Sequence, residues 1–190
     1  MKNMVSTLGR FCVVCLLSAF VVNGTAAYDA VPTGKSAETR SEGKKVGLVE
    51  LLQRLDAANP WTVERVSEAL GVELTFDPRS TKFIVSYMVK QLNYGDGLIV
   101  DEVELRQGAE TKQMIRLILY LNTKAKCFTH DSLKKMYPDI HDSTLPYNGY
   151  SGVFGYDIER PWGLISFEFD GKRPNSNCSN AIVFIPKGME

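Results

Sequence analysis

The sequence has no excess of charge of either sign, because its 22 lysines and arginines are matched by 22 aspartates and glutamates. Binding to nucleic acid requires a basic field, since much of the affinity comes from neutralised phosphates. A balanced chain lacks such a field. We therefore expect no nucleic-acid partner.

The chain is also poor in histidine, with only His130 and His141. With the aspartates near them they could bind a divalent ion, but their spacing matches no template of metal ligands. Gly95-Asp96-Gly97 lacks the Lys and Ser/Thr of a phosphate-binding loop and predicts a turn. The sequence thus predicts no metal, no cofactor and no catalytic residue, and we do not expect an enzyme.

Cysteine is limited to four residues, of which Cys12 and Cys15 lie in an N-terminal apolar segment. The other two, Cys127 and Cys178, predict one disulfide, because exported proteins form and keep such bonds. The alternative is that Cys127 is a nucleophile, with one of the two histidines as its base.

Long apolar runs are absent apart from Phe11–Val22, which is shorter than the roughly 20 residues of a membrane-spanning helix. With Lys2 and Arg10 before it and Thr25-Ala26-Ala27 after it, this run predicts a secretory signal peptide over residues 1–27. We expect a periplasmic protein without a membrane span. Cleavage removes two basic residues and no acidic one, which leaves 20 basic and 22 acidic side chains, a formal charge of −2.

Residues 28–45 are small, polar and charged, and we interpret them as a flexible leader before a single domain, 46–190. The apolar pattern of residues 46–58 predicts a helix. Asn59-Pro60 is expected to end it and to place proline in the first turn of a second helix, which Gly71 terminates. Trp61, at the junction of the two helices, is predicted to lie in the core.

Several later segments have the composition or the alternation of strands. They cover residues 73–76, 82–89, 98–106, 115–121, 153–158, 163–169 and 181–185. Asp101, Glu102 and Glu104 are expected on a solvated strand face, and Thr129 is expected to cap a short helix. The prediction is an α+β fold with an N-terminal helix pair packed on a mostly antiparallel sheet of about five to seven strands, and one disulfide.

The loop from Asp139 to about Gly152 predicts a surface that binds another protein. Loops of this length inside a domain are usually functional or disordered, and exposed tyrosine among Gly, Ser and Asn is typical of protein-binding loops. The alternative is a mobile connector whose tyrosines pack locally. The residues predicted to bind the partner are Asp139, His141, Asp142, Tyr147, Asn148 and Tyr150.

Several short segments together resemble a known group of proteins. They are Asn59-Pro60-Trp61, Cys127-Phe128-Thr129, Leu133-Lys134-Lys135, Tyr137-Pro138, and Trp162-Gly163 with Cys178. With the exported leader, this layout resembles the small periplasmic immunity proteins of type VI secretion amidase effectors, over most of the mature chain. The resemblance implies a protein that inhibits a peptidoglycan-cleaving amidase toxin by occluding its active-site cleft. It assigns no functional residues.

Two other functions stay open from the sequence. One is a non-catalytic envelope assembly or accessory domain, since modules with a helix pair and a sheet also serve there. The other is a hydrolase that uses His130, His141 and the adjacent aspartates. Either function would be compatible with a homodimer, which the sequence also leaves open.

Overall fold

The computed structural model describes residues 46–143, 152–172 and 177–189. Within these ranges the chain forms three helices and eight strands. The helices are α1 (Leu48–Ala57), α2 (Val63–Leu70) and α3 (His130–Met136). The strands are β1 (Thr75–Phe76), β2 (Ile84–Asn93), β3 (Ile99–Gly108), β4 (Met114–Leu121), β5 (His141–Asp142), β6 (Val153–Arg160), β7 (Gly163–Asp170) and β8 (Ala181–Pro186).

All eight strands belong to one antiparallel sheet, in the order β1-β2-β3-β4-β8-β7-β6-β5. Its halves, β1–β4 and β5–β8, join where β4 pairs with β8 and Leu117 lies opposite Phe184. The predicted α+β class is confirmed. The described sheet has one more strand than the upper prediction because β5, within the predicted loop, pairs with β6.

The first two helices begin well after the start of the chain, and a third lies between β4 and β5. The helix pair α1 and α2 therefore lies within the chain and not at its N-terminus, whereas α3 is the short helix that Thr129 was expected to cap. Thr62 caps α2 by accepting a hydrogen bond from the backbone N–H of Arg65 at 3.3 Å. Pro60 consequently precedes the helix and is not in its first turn. Gly71 ends α2 at a φ of 73°, as predicted.

The main core lies between the sheet and the helices, and Trp61 is only 6% exposed in it. The indole N–H of Trp61 donates to the Leu55 carbonyl at 2.8 Å, and its ring meets Trp162 edge-on with centroids 4.4 Å apart. The polar edge of a buried indole is thereby satisfied. The predicted core position of Trp61 is confirmed.

Successive side chains of the central strands enter opposite faces of the sheet, as the alternation in the sequence predicts. On β4, Leu117 and Leu119 enter the main core, whereas Ile118 belongs to a smaller apolar cluster on the opposite face, with Val183 of β8. Side chains of successive strand residues point to opposite faces. Both faces of this part of the sheet are therefore apolar at their centre.

Cys127 and Cys178 form the predicted disulfide, with their Cα atoms 5.0 Å apart. Cys178 precedes β8, which is a central strand, so the bond attaches to the middle of the sheet and not to its edge. It ties the start of a central strand to the segment that leads into α3. No helix in the described ranges is long and apolar enough to cross a membrane.

Candidate functional site

The predicted partner-binding residues that the structure describes lie together at the outer edge of the sheet. Asp139, His141 and Asp142 are all exposed, the last two in β5. Tyr147, Asn148 and Tyr150 lie outside the described residues, and their roles stay predictions.

Asp139 already has a charged partner. Its carboxylate lies 3.5 Å from Arg160, which also contacts Asp56 at 3.3 Å. Exposed ion pairs contribute little stability, but this one holds Asp139 against the scaffold. Asp142 has no such ion pair among the described residues, and its carboxylate is available to a partner.

The pairing of β5 with β6 decides which face each edge residue occupies. His141 lies opposite Asp157 and Asp142 lies opposite Tyr156. Paired residues of antiparallel strands share a face. Asp142 is therefore on the face of Tyr156, whereas His141 is on the other face, beside the buried Asp157.

Next to Asp142 the same face contains a concave site of about 340 Å³, which we call the aromatic groove. It is formed by the start of α3, by β6 and β7, and by the residue before Cys178. Its described lining residues are Thr129, His130, Asp131, Phe154, Tyr156, Phe169 and Asn177.

The rings of the aromatic groove form two stacked pairs that stand at right angles to each other. Phe154 and Phe169 stack with centroids 5.3 Å apart, and Tyr156 stands perpendicular to both. His130 stacks on Tyr156, with centroids 3.9 Å apart. Phe154 is 43% exposed, which is unusual for a large apolar side chain in the middle of an aromatic cluster. The groove therefore offers an open ring face to a ligand.

The disulfide holds the two sides of the aromatic groove. Thr129 follows Cys127 by two residues and caps α3 by accepting a hydrogen bond from the Ser132 N–H at 3.2 Å. On the other side, Asn177 directly precedes Cys178. The bond between the cysteines therefore fixes the separation of the two rims. Because Cys127 is bonded, it is not available as the thiol nucleophile that the alternative interpretation required.

The other half of the sheet has a larger concavity of about 630 Å³, which we call the charged bowl. Its described lining residues are Asp77, Arg79, Thr81, Ile84, Ser86, Asp101, Glu102, Glu104, Arg106 and Tyr120. Glu104 is only 7% exposed, so the prediction of a solvated strand face is wrong for this residue. The cause is its bidentate pairing with Arg106, at 2.8 and 2.7 Å.

The charges of the bowl largely satisfy one another. Arg79 bridges Asp77 and Glu102 at 2.7 and 3.2 Å. Burial is the largest single influence on Glu104 and works against its ionisation, but the hydrogen bonds and charge of Arg106, together with Ser86 and Arg79, hold the pKa of that carboxyl below its ordinary value. The charged bowl therefore presents ion pairs that are already neutralised, whereas Asp131 and Asp142 near the aromatic groove make no ion pair with any residue that the structure describes.

No three side chains of the kinds that bind metals come together in the described parts of the chain. His130 is in α3, stacked on Tyr156, and His141 is in β5 on the opposite face. The two histidines that the sequence suggested as one site therefore lie on different elements and different faces.

Sequence reasoning missed the aromatic groove, although a signal for it was present. Phe154 and Tyr156 alternate on β6, and Phe167 and Phe169 alternate on the neighbouring β7. Aromatics two residues apart on both strands of a hairpin must share a face. The missing information was that α3 leaves Phe154 uncovered.

No protein-family model matches the chain, and no curated protein and no solved structure is significantly similar to it. The support for a function comes from the geometry of the described residues.

Proposed function

We propose that the chain is an exported inhibitor that binds a peptidoglycan-cleaving amidase of a type VI secretion system in the periplasm and occludes its active-site cleft. One observation supports it most strongly: the exposed carboxylate of Asp142, which has no ion pair within the described ranges, lies on the same sheet face as the aromatic groove. Aromatic side chains are enriched at the centre of protein interfaces, and polar or charged groups are found at the rim.

The ends of the predicted binding loop support the same function. His141 and Asp142 pair with Asp157 and Tyr156, and the backbone N–H of Ser143 donates to the Gly155 carbonyl at 3.0 Å. The loop therefore starts and returns within one pair of strands. Strands that hold both ends reduce the entropy that a binding loop loses on association.

A disulfide is expected in a protein that must keep its aromatic groove ordered in an oxidising compartment. The disulfide of this chain links the segments that contain Thr129 and Asn177, which line the aromatic groove. An inhibitor gains affinity when its interface is ordered before it meets its target. The groove of this scaffold has that property.

The test is digestion of purified peptidoglycan by candidate amidase effectors, beginning with any that a neighbouring gene encodes, measured as release of muropeptides. Stoichiometric inhibition by the wild-type protein is expected. Asp142→Ala should weaken inhibition by about tenfold, which corresponds to about 1.4 kcal/mol. Asp101→Ala is the matched control, because Asp101 is an exposed acid on the other half of the sheet.

Digestion that continues at the same rate with an excess of the protein would reject the inhibitor function. If the protein instead copurified with a constitutive membrane complex and inhibited no amidase, an envelope assembly function would replace it. If Asp142→Ala and Asp101→Ala weakened inhibition equally, the proposed contact at Asp142 would be rejected and the inhibitor function would stand.

A further inference from the structure

Resting on the proposed function, we infer that the aromatic groove receives an arginine side chain of the partner protein. The guanidinium lies against Phe154 and pairs with the carboxylates of Asp131 and Asp142. This identifies the chemistry of the contact, which the inhibitor function alone does not specify.

The charge of the groove favours a cation. Asp131 is exposed in the first turn of α3 and makes no ion pair among the described residues. Asp142 lies on the same face, opposite Tyr156. None of the described residues that line the groove is a lysine or an arginine. A cationic group entering the groove would therefore meet the carboxylate of Asp131 in the lining and that of Asp142 on the adjoining strand, with no described lysine or arginine in the lining.

The rings favour a cation that is flat. Phe154 is 43% exposed although its ring stacks on Phe169, and Tyr156 stands perpendicular to it with centroids 6.2 Å apart. Ring faces attract cations, and a planar guanidinium can stack on a ring while its N–H groups reach a carboxylate. A lysine ammonium is compact and more strongly hydrated, so it gains less from the same arrangement.

The groove is large enough to admit an arginine side chain. Its volume of about 340 Å³ is at the lower end of the range for ligand pockets, about 300–1,000 Å³. The disulfide fixes the spacing of its rims, because Thr129 and Asn177 flank the two cysteines. Arginine is also among the residues that most often dominate the affinity of an interface.

The direct test needs no knowledge of the partner. The blocked peptide acetyl-Gly-Arg-Gly-amide is titrated into the purified protein and followed by NMR at the ring protons of His130 and Tyr156. The matched probe has citrulline in place of arginine, which keeps the shape and removes the charge. We expect saturable shifts with arginine, at least about tenfold weaker binding with citrulline, and weakening by salt.

Variants locate the binding. Asp131→Asn and Phe154→Ala should each weaken binding of the arginine peptide severalfold. Phe83→Ala should not, because Phe83 is a 71% exposed phenylalanine at the start of the other half of the sheet. Equal binding of the two peptides, or arginine binding that neither groove variant weakens, would overturn the inference. Because the peptide comparison uses the wild-type protein, a variant that fails to fold does not remove the test.

The amidase separates this inference from the function on which it rests. Inhibition that is the same for wild type, Asp131→Asn and Phe154→Ala would overturn the arginine contact and leave the inhibitor function standing. Arginine-specific peptide binding without inhibition by the wild type would reject the amidase and leave the arginine contact standing. Stronger binding of N-acetylglucosamine than of the arginine peptide would overturn the inference in favour of a saccharide.

Discussion

Removal of the disulfide should destabilise the protein by about 4 kcal/mol. The perturbation is the double substitution Cys127→Ser and Cys178→Ser. The bond closes a loop with a sequence separation of 51, and in the chain-entropy model a loop of this length raises the free energy of unfolding by about 4 kcal/mol. A domain has only about 5–15 kcal/mol in total. The bond therefore contributes a large share of the stability.

Urea denaturation at pH 7 measures this effect. With a slope of about 2 kcal/mol per molar urea, the midpoint should fall by about 2 M. The wild type treated with dithiothreitol is the matched control, and it should unfold at the midpoint of the double variant. A midpoint within about 0.5 M of the oxidised wild type would refute the reasoning, because the constraint on the unfolded chain would then be worth little.

Three further changes have effects that the structure predicts. Glu104→Gln removes the bidentate pairing with Arg106 and should lower the free energy of unfolding by about 2 kcal/mol at pH 7. The difference in stability between Glu104→Gln and the wild type should vanish as the pH falls through the lowered pKa of Glu104, because the protonated carboxyl of the wild type no longer pairs with Arg106. Glu168→Gln should instead raise the free energy of unfolding, because burial raises the pKa of Glu168 and disfavours its charged form. This gain in stability should be present at pH values above the raised pKa of Glu168 and should disappear below about pH 4.5. Gly163→Ala should cost about 2–3 kcal/mol, because Gly163 has a φ of 148° and an added Cβ would collide with the Ile185 carbonyl oxygen.

Urea midpoints across pH 3–8 test the two glutamate variants together. Equal curves for Glu104→Gln and the wild type at pH 7 would contradict the assigned pairing. A loss of stability with Glu168→Gln at pH 7 would contradict the direction of its pKa. For Gly163→Ala, the matched control is Gly71→Ala, since Gly71 has a similar need for positive φ but no atom within contact of an added Cβ. Alanine should therefore cost more at Gly163 than at Gly71.

Local features were predictable from the sequence where nearby residues determine them. Thr129 caps α3 and Gly71 ends α2, because caps depend on side-chain chemistry within one turn. The alternation around Leu117 indicated which face enters the core. The disulfide followed from the number of cysteines outside the apolar N-terminal segment.

Features that depend on distant residues were not predictable. The central position of β8 results from its pairing with both β4 and β7, and no local signal specifies such partners. Glu104 is buried in the charged bowl, where Arg79 and Ser86, which are distant in sequence, join the nearby Arg106 around it. The aromatic groove required the position of α3 relative to Phe154. Each of these outcomes is set by tertiary packing.

The most direct test of the central claim is hydrogen exchange measured on the complex of the protein with the amidase. If the amidase binds at β5 and the aromatic groove, exchange should slow at residues 139–143 and 153–157 and at the start of α3, with little change in β2 and β3. Slowed exchange confined to β2 and β3, at the charged bowl, would contradict the account.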